Sequence, residues 1–271
     1  FVFASIAKQS YTQTVIVDQS SKDTLTIKTD TIKIITNTIT VKPYKQPPIP
    51  PQPPNVSDYL KLPAGNPKII SGQSNVIIEN LRFDNTIGQP VIRIVNSTNI
   101  IIRNCFFNKG SEEAIDIENS KIITIEKNLV YGVTAGVYAF NSQTIKVINN
   151  QVINVRMRVQ GGRGQMVQFN AVSGTGNEII NNRCENFSDE SNAEDHISLF
   201  KSDNVIVRGN MLKGGGPSIS GSGIMTGDNG GINQLIENNL LLNTGNVGIG
   251  VAAGSNIRIL NNKIYSIQTP V

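Results

Sequence analysis

The chain has 271 residues, 16% charged and 38% apolar, with a net charge of +4 at pH 7; that composition excludes a highly charged disordered polymer and a membrane-embedded bundle. Counts of 33 Asn and 39 Ile, beside 24 Gly and no Trp, also argue against a mainly helical chain, because Asn favours turns and Ile favours strands. The basic excess favours an anionic partner. With no Lys/Arg run and no basic helix, that partner is expected to be an acidic polysaccharide and not nucleic acid.

Phe1 to Ala7 (FVFASIA) is a short apolar run that reads either as the end of a secretory leader or as a first strand. No later apolar run approaches the ~18 residues needed to cross a bilayer, so no membrane insertion is expected, and a bacterial secreted or periplasmic location is. Residues 11–42 alternate Thr, Ile and Val and predict two or three strands. Pro43 to Pro54 then holds seven of the twelve prolines and predicts an extended polyproline II spacer or strap. Residues 1–54 are therefore expected to form an N-terminal β-strand segment with a Pro-rich strap, and 55–271 the main domain.

From residue 75 the sequence repeats. NVIIENLRF, NIIIRNCFF, KIITIEKNLVY, TIKVINNQVI, EIINNRCEN, NVIVRGNMLK, QLIENNLLL and NIRILNNKIY share one form. Aligned on Asn80, Asn104, Asn128, Asn150, Asn182, Asn210, Asn239 and Asn262, they step by 24, 24, 22, 32, 28, 29 and 23 residues. A second family of strands lies between them, from VIRIVNS at 91 to GIGVAAGS at 248. Strand-forming repeats of 20–30 residues bent at Asn corners predict an all-β fold, a single-stranded right-handed parallel β-helix of about eight coils or more. Cys105 and Cys184 fall three coils apart, about 14 Å along the axis, too far for a disulfide and expected to be packing residues.

The three long steps carry consecutive insertions at Val155 to Gln165, Asn186 to Asp195 and Lys213 to Ser222. Stacking places them side by side as one wall of a groove. Strand alternation predicts its floor from Asp116, Glu118, Tyr138, Phe140, Met166, Gln168, His196, Ser198, Phe200 and Met225. Arg156, Arg158 and Arg163 in the first insertion present planar forks for carboxylate or sulfate. Asp189, Glu190, Glu194 and Asp195 in the second could ligate Ca²⁺ or pair with those arginines. His196 is the single histidine, which excludes a His-based zinc site. Lys201 stands where other coils have Asn96, Asn119 and Asn141.

The run Glu194 to Asn210, EDHISLFKSDNVIVRGN, resembles a coil of the alginate lyase and chondroitinase B type of polysaccharide lyase. That resemblance implies Lys201 as catalytic base and Ca²⁺ as the neutraliser of a uronate carboxylate, with Glu194 near it. The Leu-Arg-His-Gly of that family is replaced by Gly223 to Asp228, GIMTGD. A wider pattern, RGQMVQF, EDHISLFKS and GGGPSISGSGIMTGD, resembles bacterial right-handed β-helix proteins of the pectate-lyase-like superfamily and implies export and the same site location.

The leading expectation is binding and β-elimination of a uronate-containing polysaccharide, as a lyase or related C5 epimerase. Lys201 or His196 would act as base and Arg163, Arg156, Arg158 or Ca²⁺ as neutraliser, with Gln168, Tyr138, Ser198 and Asp228 contacting substrate and Glu190, Glu194 and Asp195 as metal ligands. Two alternatives stand beside it. One is a glycoside hydrolase using two carboxylates from Asp189, Glu190, Glu194, Asp195 and Asp228; the other is a non-catalytic, carbohydrate-binding or adhesive β-helix.

Overall fold

A computed structural model of the chain describes residues 55–156, 164–187, 190–215 and 221–266. The strands expected over 11–42 and the Pro-rich strap lie outside the described residues, as do Arg158, Arg163 and Asp189.

Among the described residues twenty-four strands form three sheets of eight, all parallel, and each coil gives one strand to each sheet. The first sheet runs from Lys68–Ser71 to Val247–Val251, the second from Ser74–Glu79 to Ser255–Leu260, and the third from Arg82–Thr86 to Lys263–Tyr265. This is the parallel β-helix that the repeat predicts.

The core follows from register. Residues that alternate inward stack on their equivalents one coil away, so Ile92, Ile115, Val137, Val167, Ile197 and Ile224 make one column inside the first sheet. Ile78, Ile102, Ile125, Val147, Ile179, Val207 and Ile236 make another inside the second. β-Branched side chains fit these pleated, fully buried positions. In the third sheet the column runs Phe83, Phe107, Val130, Val152, Cys184, Leu212 and Leu241, with the first two rings stacked 5.3 Å apart. Cys184 is thus a packing residue in that column, and both cysteines are buried and unpaired with each other. Burial pushes the Cys105 thiol up to about 11.

The Asn signal resolves into two columns, which corrects the single alignment. At the corner between the second and third sheets Asn80, Asn104, Asn149, Asn181, Asn238 and Asn261 adopt positive φ, with Lys127 and Gly209 in the same role. Asn is among the few residues that tolerate this left-handed backbone at low cost. The next residue turns inward: Asn128, Asn150, Asn182, Asn210, Asn239 and Asn262 form a buried amide ladder. Each Nδ2 donates to the Oδ1 of the following coil at 2.9–3.0 Å, and that same Oδ1 accepts the backbone N–H of the preceding rung. Cys105, not Asn104, heads this ladder, its N–H donating to Asn128 Oδ1.

At the corner between the first and second sheets a further Asn column, Asn96, Asn119, Asn141 and Asn229, also takes positive φ. Gly72, Ala171 and Lys201 take the place of Asn there, so Lys201 is not the single exception. Three coils of this corner border a groove of about 450 Å³ lined by Asn96, Thr98, Asn119, Lys121, Asn141 and Gln143. The helix Val56–Leu60, capped by the Asn55 side chain, sets Tyr59 edge-on to Phe106 of the third sheet. No helix among the described residues is long and apolar enough to cross a membrane.

Candidate functional site

The three insertions occupy one corner, between the third and first sheets. They join Ile153 to Val167, Asn186 to Asp195 and Gly214 to Ser222, where neighbouring coils cross in Tyr131–Val137 or Leu242–Val247. The described ends of these crossings stack along the leading edge of the first sheet.

Outward residues of that sheet form two in-register columns. Tyr138, Gln168, Ser198 and Met225 make one; Phe140, Asn170, Phe200 and Asp228 make the other. The structure thereby brings Tyr138, Gln168, Ser198 and Asp228 onto one face. Asn170 Nδ2 donates to the Tyr138 hydroxyl at 3.1 Å. Gln168 Oε1 is buried and has no hydrogen-bond partner among the described residues, an acceptor that a ligand donor or a water would satisfy. Earlier in the same columns Arg93 pairs with Asp116 and Glu118.

Lys201 follows Phe200 at the far end of its strand. Its φ is 48°, its N–H donates to the Asp228 carbonyl, and its ammonium lies 5.5 Å from the centre of the Phe200 ring. Among the described residues it has no carboxylate partner, so it is a cation available at the edge of the face.

His196 sits at the opposite end of the strand Asp195–Phe200, five residues or about 16 Å from Lys201. The two are not brought together. Expected on an open floor, His196 is 1% exposed, enclosed where the third insertion leaves the third sheet, with Nε2 2.9 Å from the Gly214 carbonyl. Burial holds the imidazole down at about 4 against the bond to Gly214, so near neutral pH the ring is uncharged and Nε2–H donates. Nδ1 has no partner among the described residues. Met166, expected on the same floor, lies in the core, because the strand starts only at Val167.

The carboxylates of the second insertion are engaged separately. Glu190 Oε2 accepts from Asn154 Nδ2 at 2.6 Å and from the Tyr131 hydroxyl at 3.1 Å, while Arg156 Nε donates to the Glu190 carbonyl. Glu194 accepts from Gln165 Nε2 at 2.8 Å. Asp195 Oδ1 accepts from both the N–H and the hydroxyl of Ser222. Burial raises the Asp195 carboxyl to about 6, opposed by the Ser222 bonds and reinforced by the charges of Glu194 and Asp228. Among the described residues no three His, Cys, Asp or Glu side chains converge to hold a cation. Glu190, Glu194 and Asp195 are each engaged by a different partner and do not converge on one point.

The sequence reading missed the Gly214–His196 and Ser222–Asp195 contacts, which pin the third insertion to the second. Its cue is the glycine run at 214–216: Gly214 has φ 85°, and a Cβ there would collide with the Asn186 carbonyl.

The family model for the right-handed β-helix region matches residues 8–152. The chain belongs to this right-handed β-helix family. No curated protein matches it. Among solved structures this β-helix is similar to PfbA, a surface adhesin of Streptococcus pneumoniae, in two determinations, each 16% identical. One covers 74% of this chain and 62% of the adhesin chain with a TM-score of 0.51; the other covers 75% and 67% with a TM-score of 0.53. In the first alignment this β-helix thus spans less than two thirds of the adhesin chain's length. The A-module of the mannuronan C-5 epimerase AlgE6 of Azotobacter vinelandii aligns over 76% of this chain and 77% of its own at 11% identity, with a TM-score of 0.30. These likenesses are of fold.

Proposed function

We propose that the outward face of the first sheet, from Tyr138 to Asp228, binds an acidic, uronate-containing polysaccharide in an extracytoplasmic location. The observation that carries the reading is the in-register stack of aromatic, amide and hydroxyl side chains ending at Lys201. Flat apolar rings accept the C–H face of a pyranose, amides and hydroxyls match its hydroxyls, and an ammonium pairs with its carboxylate. The orphaned Gln168 acceptor supports a donor-bearing ligand at the same place. A surface adhesin built on this fold is a precedent for a purely binding role.

A second reading, β-elimination at the same face, is favoured by the position of Lys201 beside that stack. In that reaction its unprotonated amine takes the proton α to the uronate carboxylate. The C–H electrons form the C=C bond, and the glycosidic oxygen leaves with its bonding pair and takes a proton from the newly formed Lys201 ammonium or from water. A C5 epimerase shares the first step and returns a proton to the opposite face. Arg158 and Arg163, the candidates for holding the carboxylate, lie outside the described residues.

Affinity electrophoresis against alginate, pectate and glycosaminoglycans, with and without EDTA, tests the binding reading. Retardation by at least one, weakened several-fold in Lys201→Ala and absent with neutral glucans, is expected. Equal retardation by neutral glucans, or none by any acidic polymer, would overturn it. Ultraviolet-absorbing unsaturated chain ends, abolished in Lys201→Ala, would select β-elimination; reducing ends without that absorbance would select hydrolysis, and neither product would select binding alone.

A further inference from the structure

We propose that the first-sheet face selects a β-(1→4)-linked uronan lying along the coil axis, with Phe140 and Phe200 beneath every second sugar. This rests on the acidic-polysaccharide reading above and adds the linkage and the direction of the bound chain.

Phe140, Asn170 and Phe200 are consecutive members of one column. Coils are separated by the inter-strand spacing, so the two aromatic positions stand about 10 Å apart along the axis with an amide between them. Phe140 is 40% exposed, an apolar ring turned to solvent on a face whose other column is largely buried. Asn170 is oriented by its bond to the Tyr138 hydroxyl, which fixes an amide midway between the two rings. Lys201 stands at the Phe200 end only.

In a β-(1→4)-linked pyranose ribbon each ring is turned over relative to its neighbour, so every second ring offers the same face and the same carboxylate side. Two aromatic positions two coils apart match that period, and the intervening amide meets the hydroxyl edge of the inverted sugar. The carboxylate of the sugar over Phe200 falls beside Lys201, which sets the polarity of the chain. The axial linkages of an α-(1→4)-linked polygalacturonate buckle or coil the chain and shorten its advance per sugar, so like faces do not recur at the spacing of the two platforms.

The test compares β-(1→4)-glucuronan with polygalacturonate of matched length and charge, by calorimetric titration of the whole chain. The glucuronan is expected to bind roughly ten-fold more tightly. Phe140→Ala and Phe200→Ala should each remove that preference, and Phe140→Tyr and Phe200→Tyr should keep it. Equal affinity for the two polymers, or an unchanged preference in both alanine variants, would overturn the inference while leaving polysaccharide binding intact. Binding to neither polymer would remove the binding reading and this inference together. Should an alanine variant fail to fold, the tyrosine variants and the polymer comparison still decide.

Discussion

The corner between the second and third sheets and the corner between the third and first sheets are built from the same stacked coils and behave in opposite ways. At the former, every buried amide of the ladder finds its partner one coil away. At the latter, coils differ in length and leave polar atoms over: His196 Nδ1 and Asn186 Nδ2 are buried without hydrogen-bond partners among the described residues. Repetition satisfies the amides of the ladder, and departure from repetition at the insertion corner leaves polar atoms over.

The sharpest way to break the contrast is to interrupt the ladder at its middle. Asn182→Ala removes the acceptor of the Asn150 N–H and of one Asn150 Nδ2 bond, and the side-chain donor to the Val147 carbonyl, and should cost about 3 kcal/mol or more in urea unfolding. A loss no larger than that of a surface alanine variant would mean that the ladder relaxes onto water.

At the insertion corner the expected loss is smaller. Gly214→Ala sets a side chain against the Asn186 carbonyl at a left-handed backbone position and should cost roughly 2–3 kcal/mol. Unchanged stability would show that the corner shifts to accommodate the added side chain.

Acid sharpens the difference further. In the unfolded chain His196 protonates near 6.5, but in the folded protein only near 4, so it lowers stability as pH falls through that window. Asp195 acts in the opposite sense. Its carboxyl takes up a proton near 6 when folded and near 3.8 when unfolded, so stability rises as pH falls between those values. The two adjacent residues oppose each other between about pH 6 and 4. Asp195→Asn should remove the gain and leave a steeper loss of stability on acidification, read from unfolding midpoints at pH 7 and pH 5; an unchanged slope would refute the assignment to this pair.

The smallest effect is expected at the face itself. Lys201→Asn restores the residue that sibling coils use at this positive φ, so it should stabilise the fold by about 0.5 kcal/mol while weakening retention by acidic polysaccharide. If affinity is retained, Lys201 is only a turn residue.

The eight coils and the insertion corner were legible in the sequence because a repeat forces equivalent residues into register. The outward placement of Tyr138, Gln168 and Ser198 was legible for the same reason: period-two alternation along a strand, multiplied by stacking, defines a face. His196 and Met166 escaped because alternation holds only within a strand, and Met166 precedes its strand by one residue while His196 is covered by backbone from Gly214 and Gly215. The offset of Asn104 from Asn128 escaped because both columns favour Asn for different reasons, one for backbone conformation and one for side-chain pairing. The engagement of Glu190 by Tyr131 and Asn154 depends on contacts from other coils that no local pattern encodes.

The ladder has a mechanical consequence. Its bonds, like the backbone bonds between coils, run parallel to the axis of the described β-helix. Tension applied between its first and last coils therefore loads the coils in series, so every interface bears the same force and the weakest yields first. Rupture proceeds as a sequence of small, similar steps whose height reports one coil's hydrogen bonds, and the steps over coils that carry an Asn rung should exceed those over the first coils, where Leu81 and Cys105 stand in its place.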